Sequence, residues 1–420
     1  MRRVAVTGIG LVSPLGHGCA EALANATAGR SAIRRIETPW SDRLNAPLAA
    51  CVRFQGEDHF PTPRLRMLDR VSQLAVVAAR QAVGEARLDL TAMDRGRVGI
   101  FIGSGMGGAL STDEAYHSLY RDGSDRVKPF SVLTGMTNAP AAWIGIEYGV
   151  SGPSLTFSTA CSSSAVSIGE AWLRLRSGAI DVALAGGSEA PLSYGGMKAW
   201  EALHTLASED PGDASASCKP FSANRCGLVL GEGAAILVLE DWARATARGA
   251  SIHGELLGYG LSTDASHITR PTVAGQATTM RAALASAGIA ADAIESINAH
   301  GTGTQANDAV ETAAIKEVFG ERAYRIPVSA TKAIHGHLLG ASGALELALA
   351  LLALQQDVLL PTMHLRVPAA DCDLDYVPNQ ARRGFGARTV MSSSFAFGGT
   401  NAVLIAARRG ADEAVSARGA

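Results

Sequence analysis

Short runs of apolar and β-branched residues alternate along the chain with longer Ala/Leu-rich stretches. In the longer stretches apolar positions recur at helical spacing; the short runs have strand length. The pattern predicts strands over 4–7, 98–102, 179–185, 234–239, 252–259, 294–299, 326–329, 388–392 and 402–406. It predicts helices over 70–86, 163–177, 277–287, 308–319 and 343–355. Several strands are apolar almost throughout, as burial on both faces requires, and strands separated by helices imply mainly parallel sheets covered by helices. Residues 31–70, rich in Pro and Arg, lack this rhythm and read as an excursion outside the sheet. The tail from about Arg409 reads as frayed. The strand–helix rhythm is similar before and after about residue 250, although no direct sequence repeat is visible.

Composition narrows the class. The chain has 420 residues, 47% hydrophobic and 18% charged, with a formal net charge of −2. That balance gives no electrostatic footprint for nucleic acid. The Arg2-Arg3 start followed by an apolar run suggests a signal peptide, but the run is short and turns at Gly8 and Gly10, so it reads as the first strand. No stretch approaches the ~20 uninterrupted apolar residues of a membrane span. The six cysteines form no CxxC pair and no framework spacing, which argues for a reduced, cytoplasmic chain without structural zinc. Glycine is in excess, with 46 residues. In so apolar a chain that points to a closely packed α/β protein whose backbone comes near something at many turns.

The most tempting glycine motif is a decoy. Gly103, Gly105 and Gly108 satisfy GxGxxG after a good strand, but the dinucleotide fingerprint needs a second strand ending in an acidic residue about 20 positions on. Here that region is the polar turn around Asp122 and Asp125.

Four stretches carry candidate chemistry. Cys161, in TACSSS, lies between a short β-run and a predicted helix. At a helix N-terminus the free amides and the dipole favour thiolate and lower the thiol pKa. The same position suits a buried small side chain. His300 ends an apolar strand and opens the loop HGTGT, where α/β sheets place ligands; a core histidine bonded to backbone would look the same. Lys332, His335 and His337, in TKAIHGHLLGASG, precede an apolar helix. No cysteine or carboxylate stands there at ligand spacing, so charge stabilisation fits better than a metal. Phe395 and Phe397 flank a turn that Gly398 and Gly399 make flexible, in SSSFAFGGTN.

Each signal is moderate alone, but their order is specific. The chain resembles the elongating β-ketoacyl-acyl-carrier-protein synthases of the thiolase superfamily. The likeness runs essentially from end to end, through VTGIGLVSPLG, GSGMGG, TACSSS, AGGSEA, NAHGTGT, TKAIHGHLLGASGA and SSFAFGGTN. It implies an α/β thiolase fold of five layers, αβαβα, with two pseudo-duplicated halves. Residues 1–250 would carry the nucleophile and residues 251–409 the His/Lys/His residues, with 410–420 a flexible tail.

The resemblance also implies roles. Cys161 would accept an acyl group from acyl carrier protein as a thioester. His300 and His337 would hold the enolate left when malonyl carrier protein loses carbon dioxide. The backbone amides of Cys161 and Phe397 would form a second oxyanion hole. Lys332 would set the electrostatics, with Glu311 as its charged partner and Asp308 supporting the loop. Thr302 and Thr304 would hold the pantetheine arm. Phe395, Phe397, Gly398 and Gly399 would shape the gate, and Met106 would line the acyl tunnel. Asn298, Glu346, Ser392 and Ser393 match a structural monovalent-cation (sodium or potassium) site of some members, with Ser393 in place of a common asparagine. Arg64 and Arg66 are candidates for steering the acidic carrier protein; a solvated basic loop is the alternative. No organic cofactor is expected. Homodimers are the family rule. Cys226 falls where many members carry an acidic residue.

Rival readings remain within the superfamily. Noncatalytic chain-length factors lack the cysteine. Thiolases replace one histidine with cysteine, and initiating synthases replace the second with asparagine. A polyketide or polyene ketosynthase would share all of this chemistry; TACSSS and HGTGT lean that way, while size and GSGMGG lean toward fatty-acid elongation.

Overall fold

The computed structural model describes residues 1–410; the predicted tail falls almost wholly outside the described residues. Ten strands make one continuous sheet path. They are β1 (Val4–Ser13), β2 (Val98–Gly103), β3 (Ser154–Phe157), β4 (Val182–Glu189), β5 (Gly233–Asp241), β6 (Gly254–Thr263), β7 (Ser296–Asn298), β8 (Val328–Ser329), β9 (Thr389–Phe395) and β10 (Thr400–Arg408). Their spatial order is β8-β7-β9-β10-β6-β1-β5-β4-β2-β3. Read outward from the centre, the N-terminal strands run β1-β5-β4-β2-β3 and the C-terminal strands β6-β10-β9-β7-β8. The two orders are the same, displaced by five strands. β1 and β6 join the sets through a short antiparallel register, Val4 opposite Leu256 to Val6 opposite Gly254.

The expectation of mainly parallel sheets is corrected. The outer strands of each set pair in parallel, β2 with β3 and β4, and β7 with β8 and β9. The central five pairings are antiparallel. β9 and β10 are joined by a four-residue turn, which only an antiparallel pair permits. Apolar runs report burial on both faces and carry no strand direction.

Five helices cover and separate the sheet halves: α1 (Arg70–Ala86), α2 (Ser163–Arg176), α3 (Val273–Ala287), α4 (Gln305–Phe319) and α5 (Ser342–Gln355). α1 packs outside β1, β4 and β5, and α3 packs outside β6 and β10 with α4 beside it. α2 and α5 touch strands of both sets, so they form the middle layer. The result is the expected αβαβα stack. α5 is buried on nearly every side, as its unbroken Ala/Leu surface demands. Trp172 of α2 is buried and donates its indole N–H to the Leu256 carbonyl at 2.8 Å, tying the middle layer to the C-terminal set.

The excursion at 31–70 does leave the main sheet, but it builds a small one. Ile33–Arg35, Leu48–Ala50 and Leu230–Gly231 pair there. The Leu230–Gly231 strand of that sheet, with Val229 before it, holds His337 by its backbone: the His337 N–H donates to Val229 O at 2.7 Å, and its carbonyl accepts from Gly231 N at 2.9 Å. The irregular stretch therefore pairs with the strand that braces a residue of the site. Gly103, in the decoy motif, packs against the start of α2. A Cβ there would stand 2.3 Å from the Ser163 backbone. The motif's tight turn serves close packing against the segment that carries Cys161.

Candidate active site

α2 and α5 occupy equivalent places in their halves, and the single-turn segments preceding them, Ala160–Ser162 and Leu339–Ala341, touch each other. Cys161 and His337 arrive at the same point for that reason, though 176 positions apart. His300 comes in from the end of β7. The Cys161 sulfur and one ring nitrogen from each histidine all lie within 4.8 Å of one another. All three residues are buried.

Cys161 follows Ala160, whose φ of 51° is strained for a residue with a side chain. The backbone amides of Phe397 and of Cys161 itself favour the thiolate. The expected lowering of the thiol pKa does not occur. Burial pushes it up to about 11, and the Lys332 charge and the Phe397 amide only partly oppose this. In so closed a site the loss of hydration outweighs the helix N-terminus.

The tautomers of both histidines follow from their neighbours. Lys332 Nζ donates to His300 O at 2.6 Å and lies 3.3 Å from His300 Nδ1. An ammonium can only donate, so Nδ1 accepts and the ring hydrogen sits on Nε2. Leu339 N donates to His337 Nδ1 at 3.1 Å, with Ser342 Oγ 2.9 Å away. The His337 hydrogen therefore also sits on Nε2, which is buried with no partner. Burial, reinforced by the Lys332 charge, holds both imidazoles well below their ordinary pKa, so both are neutral. Their rings meet edge to face at 5.4 Å.

Glu311 is not the charged partner of Lys332. Its two oxygens accept the backbone N–H groups of His300 (2.7 Å) and Gly301 (2.9 Å). Burial raises its carboxyl to about 7 against those two bonds. Lys332 instead pairs with Glu346 at 2.5 Å, both side chains 1% exposed. Register explains the swap: Glu346 lies on the first turns of α5 facing Lys332, while Glu311 on α4 faces the loop after β7. Asp308 accepts from Phe221 N at 2.8 Å and Gly303 N at 3.3 Å, beneath the same loop.

Thr302 and Thr304 lie side by side, hydroxyls 2.9 Å apart, on the wall of a cavity that opens onto Cys161. Phe395, Phe397 and Gly399 line it too. Gly398 and Gly399 both adopt left-handed φ, 85° and 77°, in the turn after β9. That turn is held by Gly398 N to Ile268 O and by Asp264 N to Gly399 O. The cavity measures about 50 Å³, well under the roughly 300–1,000 Å³ of ordinary ligand pockets. Met106 does not line it; it packs in an adjoining apolar cluster with Leu228, Leu230 and Leu339. Trp200 and the 264–271 loop, with His267 and Arg270, also line the cavity and escaped the sequence reading. No local motif marks them, since they reach the site only through the tertiary fold.

Two further expectations change. Arg64 is tied to Glu147 and lies over Phe60 and Trp143, so it is not a free docking cation; Arg66 is exposed. Around the expected cation position, Asn298 Nδ2 lies 3.4 Å from Ser392 Oγ. Glu346 Oε2 and Ser393 Oγ are buried without a hydrogen-bond partner. Orphaned buried oxygens fit a hard monovalent cation. Cys226 is exposed beside Ser208 and away from the cavity lining.

A cysteine hydrolase needs an imidazole nitrogen that accepts the thiol proton. Here both nitrogens facing the cavity carry hydrogens, which suits binding of negative oxygen atoms. A buried thiol beside two such N–H donors, at the meeting of two equivalent halves, suits acyl transfer better than hydrolysis.

Comparison with known proteins agrees. A family model for the beta-ketoacyl synthase N-terminal domain matches residues 1–245, and one for the C-terminal domain matches residues 253–366. Nodulation protein E of Rhizobium meliloti (strain 1021) is 43% identical over 403 residues, 96% of this chain and 98% of that protein. The 3-oxoacyl-[acyl-carrier-protein] synthase 2 of Staphylococcus aureus (strain COL) is 39% identical over 407 residues, again 96% and 98%. A solved type II PKS acyl-carrier protein in complex with its ketosynthase, bound to the hexaketide, contains a chain 31% identical to this one. That match has a TM-score of 0.90 and covers 97% of this chain and 99% of the other. The chain belongs to the β-ketoacyl synthase family. It is an acyltransferase that forms a carbon–carbon bond by decarboxylative condensation.

Proposed function

We propose that the chain elongates acyl groups held on acyl carrier protein, in fatty-acid synthesis, with Cys161 as nucleophile. In the first half-reaction the Cys161 sulfur bonds to the acyl carbonyl and the carrier's sulfur leaves as a thiol, taking up the proton that Cys161 gives up. Dividing the reaction at a covalent acyl-enzyme replaces one hard step by two easier ones. Malonyl carrier protein then loses carbon dioxide. The enolate oxygen takes hydrogen bonds from Nε2–H of His300 and His337, and the enolate carbon attacks the acyl carbonyl. The new oxyanion is held by the amides of Cys161 and Phe397. Collapse expels the Cys161 thiolate, which regains a proton, and leaves 3-oxoacyl carrier protein. The observation that carries this reading is the pair of neutral Nε2–H donors beside the buried sulfur.

In this account Lys332 fixes the His300 tautomer, and Glu311 and Asp308 hold the loop from His300 to Thr304. Thr302 and Thr304 bind the pantetheine arm, and Phe397 gates the cavity on its Gly398–Gly399 turn. Glu346 and Ser393, beside Asn298 and Ser392, would hold a structural monovalent cation, which would balance charge behind Lys332. The exposed cations Arg66 and Arg270 would meet the acidic carrier protein.

We take residues 1–250 and 251–409 as the two halves, in keeping with the repeated strand order. We also propose a cytoplasmic homodimer. β3 is an edge strand with Leu155 37% exposed, and Ile146, Val132, Leu133 and Phe130 near it in sequence are 66%, 75%, 55% and 40% exposed. An apolar edge of this kind is normally paired or covered.

The test is direct: the purified protein, given acyl and malonyl carrier protein, should release carbon dioxide and a 3-oxoacyl product two carbons longer. Carbon dioxide without chain extension would contradict the condensing role. A polyketide ketosynthase is the second reading, supported by the hexaketide-bound neighbour; repeated extension without keto reduction would favour it.

A further inference from the structure

The helix Tyr194–Ala202 brings Trp200 to the wall of the cavity. There its indole stacks on the Phe397 ring, with centroids 6.0 Å apart and planes 24° from parallel. Both rings line the cavity that contains Cys161. Trp200 also packs against the apolar cluster built from Met197, Leu228, Leu230 and Leu339, to which Met106 belongs. Leu228 is shared by cavity and cluster. Trp200 therefore stands at the boundary between the sulfur and the neighbouring apolar volume.

The two rings differ in freedom. Phe397 rides on a turn whose next two residues are left-handed glycines, and one backbone hydrogen bond in each direction ties that turn to the 264–268 loop. Trp200 rides on a helix and is wedged into a packed cluster. A cavity of about 50 Å³ has no room for a long acyl chain, so the chain must displace something. The side chain able to swing is Phe397, and the surface it rests on is Trp200.

We propose that Trp200 is a specificity-determining residue: its indole is the fixed rest against which Phe397 closes, and it limits the loading of long acyl chains onto Cys161. The proposal relies on Cys161 as acyl acceptor and Phe397 as gate. An indole is amphipathic and rigid, so it can hold a ring by stacking while resisting an aliphatic chain that would have to pass its edge.

The experiment measures acylation of Cys161 by octanoyl and palmitoyl carrier protein, separately, in wild type, Trp200→Ala and Trp200→Phe. Trp200→Ala should raise the palmitoyl-to-octanoyl ratio of initial rates by about tenfold, the scale at which pocket shape discriminates apolar chains. Trp200→Phe should keep a ratio near wild type, because a ring still meets Phe397. If Trp200→Ala slows both chains equally, or if Trp200→Phe behaves like Trp200→Ala, the indole only fills space and the proposal is overturned. An absence of any adduct on wild-type Cys161 would overturn the acyl-acceptor reading itself, a result distinguishable from an unchanged ratio.

Discussion

The Leu339 backbone N–H points at Nδ1 of His337 from 3.1 Å. That one bond puts the ring hydrogen on Nε2, where it faces the cavity unpartnered. In the proposed mechanism His337 uses that hydrogen to stabilise a negative oxygen. Removing such a donor typically costs about 100- to 1,000-fold in rate. His337→Ala should lose decarboxylation of malonyl carrier protein by that factor while Cys161 still acylates. Carbon dioxide release and acyl adduct, measured on the same sample, separate the two steps. Loss of acylation alone would reverse the division of roles.

The imidazoles should also be neutral across the working pH range. Burial first, then the Lys332 charge, depresses both His300 and His337. Nitrogen NMR of labelled protein should show neither ring titrating near the usual 6.5. A midpoint near 6.5 for either would show that water or counter-charge reaches the site.

Lys332 and Glu346 are a fully buried ion pair. Breaking such a pair costs about 3–5 kcal/mol, because the remaining charge is stranded, whereas removing both charges costs far less. Lys332→Met should lower stability by that amount in chemical denaturation. Lys332→Met with Glu346→Gln should recover most of it without restoring condensation. Equal loss in the single and double variants would mean the pair is not coupled.

Glu311 supplies a pH signature. Its carboxyl is raised by burial from 4.5 to about 7. A raised carboxyl binds its proton more tightly in the folded state, so the stability it contributes is present below about pH 4.5 and is lost as pH rises through about 7. Unfolding free energy measured between those limits should fall less steeply in Glu311→Gln than in wild type. The same slope in both would remove Glu311 from this account.

The edge strand predicts assembly. Leu155→Lys with Ile146→Lys should shift the protein from dimer to monomer in sedimentation velocity. A wild-type monomer would refute the homodimer, and a dimer unaffected by the charges would place its interface elsewhere.

Much of this was visible before the fold. The helix over 70–86 matches α1 to the residue, since its apolar positions recur at helical spacing throughout; the structure adds an Asp69 cap at its start. Cys161, His300 and His337 each stand out in a Gly- or Ser-rich loop beside a strong element, but local pattern left each open to a structural role, and only the family resemblance joined them into one site. Strand direction did not emerge, since two-sided burial erases it. The helices Cys19–Thr27, Ala109–Tyr120, Ala139–Tyr148 and Tyr194–Ala202 also escaped, being only 9–12 residues long and so too short for their pattern to repeat. Pairings decided by tertiary register, such as Lys332 with Glu346 and Trp200 with Phe397, have no local trace in the chain.

Everything proposed for the site depends on Cys161 carrying the acyl group. Intact-protein mass spectrometry after incubation with acyl carrier protein tests it most directly. Wild type should gain one acyl mass, mapped to Cys161 and absent from Cys161→Ala. An adduct persisting on Cys161→Ala, or none on the wild-type protein, would contradict it.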